Sequence, residues 1–123
     1  MSNNTQHTIL IVDDQMGVRM LLNEAFQEVG YKVELAANGP EALIKIDQVR
    51  PDIVLMDMKM PGMSGLEVLR EVKKQGKELK VILMTAYGEL EIVAEAMELG
   101  VTEYVTKPFD INEVRGLVKK ALS

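Results

Sequence analysis

The 123-residue chain contains no cysteine and no tryptophan, and it has a single histidine. Without cysteine there are no disulfides, thiolate metal sites or thiol nucleophiles, and a reducing compartment is allowed. Fully apolar runs are short: stretches such as residues 9–12 fall far below the roughly 18 residues that a membrane span requires. We therefore expect a protein without a membrane segment, located in the cytoplasm.

Positive charge is in deficit, with 14 Lys or Arg against 19 Asp or Glu and a formal charge of −5. An acidic surface repels phosphate backbones, so we expect no nucleic-acid partner and instead proteins or cations. The 47% apolar and 27% charged residues are typical of one ordinary globular domain. We expect a flexible tail over residues 1–7 and a single domain over 8–123.

Short β-branched runs alternate five times with longer amphipathic segments, a pattern that predicts a parallel sheet covered by helices. The predicted strands are residues 8–12, 32–36, 52–56, 80–85 and 103–106. The first, third and fourth are almost wholly apolar and should lie centrally, whereas Glu34 marks the second as an edge strand. In the first helix, Val18, Leu21, Leu22 and Phe26 should form the stripe that packs on the sheet.

Acidic residues stand where the central strands end. Asp13 and Asp14 follow the first strand and Asp57 follows the third, and ligands of open parallel sheets bind beyond the carboxyl ends of the strands. Two carboxylates about 4 Å apart repel by about 4 kcal/mol at an effective dielectric of about 20, so such a cluster must bind protons or a divalent cation. Oxygen ligands without His or Cys favour Mg²⁺, or Mn²⁺ as a substitute, over zinc.

Helix capping is the plainer interpretation of the first two acids, because an aspartate between a strand and a helix often caps the helix that follows. Asp13 or Asp14 would then cap a helix beginning near Gln15. Asp57 does not fit this interpretation, since no helix can begin before Pro61. We interpret Asp57 as an exposed reactive group.

Thr85 and Lys107 end the fourth and fifth strands, which places a hydroxyl and an ammonium at the same edge as the acids. This combination suits a phosphoryl group carried by Asp57, with donors for its oxygens. Taken singly, Thr85 is a strand-end hydroxyl and Lys107 a solvated lysine, so only their joint position indicates a site. The Lys107–Pro108 bond can also be cis at modest cost.

Four strings in order, ILIVDD, MDMKMPGMSG, MTAYGE and YVTKPF, together resemble the receiver domain of bacterial two-component response regulators. The resemblance covers residues 8–122 and implies an α/β fold of the flavodoxin-like (βα)5 type, a doubly wound parallel sheet with strand order 2-1-3-4-5. It also implies that Asp57 is the phosphoacceptor, that Thr85 is the switch hydroxyl and that Lys107 pairs with the phosphate.

The same resemblance implies a magnesium site. Its ligands would be the side chains of Asp14 and Asp57 and the main-chain carbonyl of Lys59, with Asp13 acting through water. We further predict that Lys59 and Tyr87, which flank the site by their spacing, tune the lifetime of the acyl phosphate by limiting water access.

Longer strings, DDQMGVRMLLNEAF, AANGPEAL and KPFDINEVR, resemble the stand-alone phosphorelay receivers of spore-forming bacilli. This implies a single-domain regulator that takes a phosphoryl group from a sensor histidine kinase and gives it to a histidine phosphotransferase in a relay controlling sporulation. Response-regulator phosphatases are further expected partners. Tyr104 departs from the histidine that these relay receivers carry at the switch position, and it matches the tyrosine commoner among receivers.

We expect a phosphotransfer intermediate, with magnesium-dependent self-phosphorylation and slow autodephosphorylation, rather than a conventional multiple-turnover enzyme. Partners should bind around the site, and chiefly to the first helix at residues 15, 16, 18, 20 and 21. Four alternatives stay open: a chemotaxis-like binding switch, a receiver-like interaction module that never gains phosphate, a magnesium-dependent aspartyl-phosphate phosphohydrolase and a flavodoxin-type cofactor module. The last requires a Ser/Thr/Gly-rich phosphate loop where this chain has DDQMG.

Overall fold

Strands and helices alternate along the whole chain in the computed structural model, which describes residues 6–86 and 89–123. The elements are β1 Thr8–Val12, α1 Met16–Glu28, β2 Lys32–Ala36, α2 Gly39–Val49, β3 Ile53–Asp57, α3 Gly65–Lys74, β4 Val81–Ala86, α4 Leu90–Glu98, β5 Glu103–Lys107 and α5 Ile111–Leu122. All four strand pairings are parallel, and the order is β2-β1-β3-β4-β5. The predicted fold is confirmed, with β2 at an edge and every strand boundary within one residue of its prediction.

The sheet is buried on both faces. Side chains of a strand alternate between the two faces, so Ile9 and Ile11 pack with residues of α1 and α5, whereas Leu10 and Val12 pack with residues of α2, α3 and α4. The central strands therefore expose no face to solvent, and their polar groups are confined to their ends. This arrangement explains the almost wholly apolar sequences of β1, β3 and β4.

Helix α1 buries a narrower stripe than its sequence predicts. Leu22 and Phe26 are fully buried, but Leu21 is 52% exposed, so its assignment to the core stripe was wrong. Successive helical residues are about 100° apart, and Leu21 lies on the solvent side of a stripe centred on Leu22, Ala25 and Phe26. An apolar side chain is thus left in solvent on the helix that follows the acidic pair.

Helix α3 begins close in space to the main chain of Asp57. Ser64 and Glu67 form a capping box, in which the Ser64 hydroxyl accepts from the Glu67 N–H and the Glu67 carboxylate accepts from the Ser64 N–H. A Cβ atom on Gly65 would lie 2.5 Å from the main-chain oxygen of Asp57. The glycine therefore permits the close approach of α3 to the end of β3.

Two further predictions concern the chain's N-terminus and membranes. Residues 1–5 of the predicted tail lie outside the described residues. The main-chain carbonyl of His7 accepts a hydrogen bond from the Lys32 N–H at 3.0 Å, and the side-chain amide of Gln6 donates to the Gly30 carbonyl at 3.1 Å. Among the helices of the described ranges, none combines the length and the apolar character needed to cross a membrane.

Candidate functional site

The acidic residues meet at the carboxyl edge of the sheet. β1 and β3 are neighbours, with Val12 paired to Met56, so Asp13 and Asp57 extend from adjacent strand ends. Carboxylate oxygens of Asp13, Asp14 and Asp57 all lie within 4.8 Å of one another. The predicted convergence of three carboxylates is therefore observed.

The three acids differ in their exposure to solvent. Asp13 is 0% exposed and Asp57 7%, whereas Asp14 is exposed. The interpretation of Asp57 as an exposed group was wrong, because Asp13 and Lys107 pack around its carboxylate. The site, called the acidic pocket below, thus has two buried carboxylates and one, that of Asp14, at the surface.

Lys107 supplies the cation of this pocket. Its Nζ lies 2.8 Å from Asp13 Oδ2 and 3.4 Å from Asp57 Oδ1, and the Lys107–Pro108 peptide bond is cis. Burial alone would lower the pKa of Lys107, but the hydrogen bond to Asp13 and the charges of both aspartates raise it. The lysine is therefore held charged between the two carboxylates, unlike a solvated surface lysine.

Neither Asp13 nor Asp14 caps α1, because Gln15 is the N-cap residue of that helix, so the capping interpretation was wrong. The Asp13 side chain is instead engaged through both of its oxygens. Its Oδ1 accepts the Gln15 N–H at 2.9 Å, next to the start of α1, while its Oδ2 accepts from Lys107. The Arg19 guanidinium also donates to the Asp13 carbonyl at 2.7 Å, a contact that the sequence gave no signal for. The turn that carries the acidic pair is therefore held by three hydrogen bonds to Asp13, from Gln15, Arg19 and Lys107.

Asp57 is an unusual acid in these surroundings. Burial, followed by the negative charge of Asp13, raises its pKa from 3.8 to about 6, although Lys107 acts in the opposite direction. A nearby cation would lower the pKa of this carboxyl group, because a positive charge would stabilise its ionised form.

The donor set fits a hard divalent cation. Three carboxylates at mutual distances within 4.8 Å offer only oxygen ligands, and Mg²⁺ and Mn²⁺ prefer oxygen and keep several of their own waters. Asp14 is exposed, so such waters can reach the cluster from its side. These residues can therefore hold a metal ion, and magnesium is the ion we propose below.

Thr85 is buried at the end of β4, but its hydroxyl is engaged by a residue to which the sequence analysis assigned no role. It is shared between the Ala86 carbonyl and Glu89 Oε1, both at 3.4 Å. The same Glu89 oxygen accepts the Ala86 N–H at 3.0 Å, and Glu89 Oε2 lies 3.1 Å from Lys59 Nζ. The only sequence signal for Glu89 is an acid four residues after Thr85 in the string MTAYGE.

Burial opposes ionisation of Glu89, but the hydrogen bonds from Lys59 and Ala86 and the charge of Lys59 lower its pKa. Glu89 is therefore a carboxylate that bridges the loop after β3 and the end of β4. Tyr87, the other residue predicted to tune the site, lies outside the described residues. Tyr104 lies on β5 with its side chain partly in solvent.

Comparisons with known proteins agree on one family. A family model described as the response regulator receiver domain matches residues 9–119. Sporulation initiation phosphotransferase F of Bacillus subtilis strain 168 is 54% identical over 114 residues, which are 93% of this chain and 92% of that protein. Regulatory protein AtoC of Escherichia coli strain K12 is 45% identical over 93% of this chain but only 25% of its own length.

Solved structures agree with the sequence comparisons. A response regulator receiver domain protein from Clostridium thermocellum superimposes with a TM-score of 0.88 at 30% identity, and the alignment covers 94% of each chain. The similarity thus extends over both the sequence and the tertiary structure.

Proposed function

The chain belongs to the response regulator receiver family, whose members accept a phosphoryl group on an aspartate, and from this premise we propose that Asp57 is the acceptor here. The observation that carries the proposal is the position of its carboxylate, close to both Asp13 and Asp14 and 3.4 Å from Lys107 Nζ. Asp13 is engaged by Lys107 and Gln15, and Asp14 is exposed. Asp57 is therefore the buried acid left for the reaction, and the Lys107 ammonium lies close enough to pair with a group that it carries.

The reaction is an in-line transfer from a phosphohistidine. An Asp57 oxygen attacks phosphorus, a P–O bond forms, the P–N bond breaks, and the imidazole nitrogen leaves with the bonding electron pair and takes a proton from solvent. Positioning and charge neutralisation account for most of the catalysis in such transfers. Lys107 would pair with the phosphoryl oxygens, and the Thr85 hydroxyl would donate to one of them.

We assign a Mg²⁺ ion to the side chains of Asp14 and Asp57 and to the main-chain carbonyl of Lys59, with Asp13 binding through water. When bound, the metal would neutralise the negative charge that accumulates on the transferring group. Family membership and the clustered carboxylates support this assignment. Mn²⁺ should replace Mg²⁺ because it prefers the same ligands.

We place the protein in a phosphorelay. Its extended similarity to the Bacillus subtilis sporulation phosphotransferase supports a sensor histidine kinase as donor and a histidine phosphotransferase as recipient, and sporulation as the process controlled. Response-regulator phosphatases are the third partner class that we propose. The domain would extend over residues 8–123, preceded by a tail, since β1 begins at Thr8 and α5 ends at Leu122.

Helix α1 is the surface we propose for these partners. Met16, Met20 and Leu21 are exposed apolar side chains, and they follow the acidic pair directly. A helix of the partner could cover the apolar patch of α1 and so bring a histidine to Asp57.

Asp57→Asn tests the assignment of the acceptor. With phosphorylated sensor kinase and Mg²⁺, we expect wild type to gain a hydroxylamine-sensitive phosphoryl group and the variant to gain none, with its fold unchanged by circular dichroism. Asp47→Asn, on the exposed surface of α2, is the matched control and should label like wild type. Labelling of D57N at another residue would contradict the assignment.

A chase distinguishes a relay intermediate from a chemotaxis-like switch. Phosphorylated protein, freed of kinase and mixed with a histidine phosphotransferase, should lose its label to the recipient within seconds to minutes and faster than by hydrolysis. Retention of the label on Asp57 would favour the switch. Turnover of small phosphate esters would instead favour a phosphohydrolase.

A further inference from the structure

Glu89 lies where the Thr85 hydroxyl, a donor of the proposed phosphate site, and the Lys59 ammonium converge. Its carboxylate accepts from the Thr85 hydroxyl, which we assign to a phosphoryl oxygen, and pairs with the ammonium of Lys59. The Ala86 N–H, at the end of β4, is its third donor. One side-chain carboxylate thus satisfies a hydroxyl, an amide and an ammonium beside the acidic pocket.

Ordinary helix capping does not account for this arrangement. Glu41 and Glu67 also reach back to main-chain N–H groups, those of Ala37 and Ser64, where α2 and α3 begin. Both occupy the third helical position, as a capping box requires. Glu89 is instead the residue that precedes α4, and two of its three donors are side chains at the site.

We propose that Glu89 is a positioning residue that holds Thr85 and Lys59 in the unphosphorylated protein and releases them when Asp57 is phosphorylated. The inference rests on the proposed function, because the competing anion is the phosphoryl group on Asp57. That group carries three strong acceptor oxygens and more negative charge than a carboxylate, so in this proposal it draws the Thr85 hydroxyl and the Lys59 ammonium away from Glu89.

The release has a structural consequence at α4. Glu89 directly precedes that helix and connects it, through Lys59 and Ala86, to the loop after β3 and the end of β4. Once the carboxylate loses these donors, the start of α4 is freed from both segments. The phosphorylation state of Asp57 is thereby transmitted to a specific helix end.

The test measures affinity for beryllofluoride, a tetrahedral phosphoryl mimic, in the presence of Mg²⁺. Glu89→Gln removes the charge, Glu89→Asp keeps the charge but shortens the reach, and Glu91→Gln removes an exposed charge in the first turn of the same helix. We expect E89Q and E89D to bind the mimic about fivefold more tightly than wild type, since the competing carboxylate is absent or withdrawn. E91Q should bind within about twofold of wild type, as expected for a distant surface charge.

Amide NMR spectra provide a second readout. The Ala86 resonance should shift when wild type is saturated with the mimic, and E89Q alone should move it part of the way in the same direction. Equal affinities of E89Q and E91Q, an E89D affinity at or below that of wild type, or an unmoved Ala86 resonance in E89Q would each overturn the role of Glu89. These results would leave the proposed function intact, whereas a wild type that binds no mimic would contradict the proposed function and this inference with it.

Discussion

Asp57 has to be ionised to act as a nucleophile, yet its surroundings favour the protonated form. Burial and the neighbouring charge of Asp13 raise its pKa to about 6 despite the proximity of Lys107. The ionised site is therefore electrostatically unfavourable, and either a metal ion or a proton on Asp57 can relieve the repulsion. The ionised form of Asp57 that the reaction needs is therefore the form that makes the folded protein less stable.

This opposition predicts a pH-dependent stability. Because the pKa of Asp57 is 3.8 without these surroundings and about 6 in the folded chain, the folded protein binds more protons than the unfolded one between these values. The free energy of unfolding should thus fall as pH rises through this window, by about 2 to 3 kcal/mol from this residue. D57N should remove that loss and, without Mg²⁺, be about 2 kcal/mol more stable than wild type at pH 7.5.

Urea unfolding of both proteins between pH 4 and pH 7.5 checks this prediction, since the difference between them isolates Asp57. The two curves should approach each other as the pH falls toward 4, where the folded carboxyl is protonated and the unfolded one, with a pKa of 3.8, is partly protonated. Added Mg²⁺ should stabilise wild type more than D57N. A wild type that is more stable than D57N at pH 7.5 without the metal would contradict the expected sign.

Lys107 and a divalent cation compete for the same carboxylates. The ammonium lies 2.8 Å from Asp13 and 3.4 Å from Asp57, so it repels any cation that binds there. Lys107→Met should therefore bind Mg²⁺ about tenfold more tightly than wild type. Without metal it should lose about 3 kcal/mol of stability, because Asp13 becomes a buried charge without its partner.

Isothermal titration with Mg²⁺ measures the affinity. Lys119→Met, which removes an exposed lysine in the last turn of α5, is the matched control and should leave the metal affinity unchanged. If K107M bound the metal no better than K119M, the lysine and the metal would not share ligands.

At the scale of elements, the start of α3 determines the shape of the loop behind Asp57. The Gly65 N–H donates to the Met58 carbonyl at 2.9 Å, and its Cα hydrogens face the main-chain oxygen of Asp57. The Ser64 capping box adds about 1 kcal/mol to the stability of the helix start. The loop can therefore turn sharply between the end of β3 and α3.

Gly65→Ala should disturb this contact, since its Cβ would lie 2.5 Å from the Asp57 oxygen. We expect a loss of about 2 kcal/mol or more in unfolding free energy and weaker Mg²⁺ binding. Gly116→Ala is the natural control, because this α5 glycine has open space around its Cβ position. It should be stabilising by about 0.5 to 1 kcal/mol, with Mg²⁺ binding unchanged.

Urea denaturation and magnesium titration of the two alanine variants give the comparison. The prediction would be wrong if both substitutions changed stability equally, since helix propensity alone would then explain them. It would also be wrong if G65A kept the metal affinity of wild type.

At the scale of the whole molecule, partner recognition and phosphoryl chemistry occupy adjacent but separate surfaces. Leu21 is 52% exposed on α1 and Ile44 is 54% exposed on α2. Leu21→Asp should reduce the rate of transfer from a sensor kinase at least tenfold by placing a charge in the apolar contact. Phosphorylation by acetyl phosphate, which needs no protein partner, should be unchanged.

Ile44→Asp is the matched control, and it should transfer from the kinase at the wild-type rate. Stopped-flow or rapid-quench assays with both donors separate recognition from chemistry. Equal losses in L21D and I44D, or a loss of acetyl phosphate labelling in L21D, would contradict the assignment of α1 as the partner surface.

The sequence by itself determined the elements, their order and the edge of the sheet at which the acids meet. Apolar runs and strand-end aspartates are local features, and in a parallel sheet the ends of strands 1 and 3 meet wherever the order is 2-1-3-4-5. Asp13 and Asp57 could for this reason be assigned to one site from the sequence. Lys107 ends a strand that neighbours neither of theirs, and the resemblance to receiver domains joined it to them.

Only the tertiary structure decided exposure and pairing, because both depend on what other segments place around a side chain. Asp57 was expected in solvent, but Lys107 and Asp13, from strands on either side of β3, enclose it. Leu21 was expected in the core, but the face that α1 buries is centred on Leu22, Ala25 and Phe26, which leaves Leu21 outside it. Glu89 acquired a role only through Lys59, thirty residues earlier in the chain, a contact that no local pattern encodes.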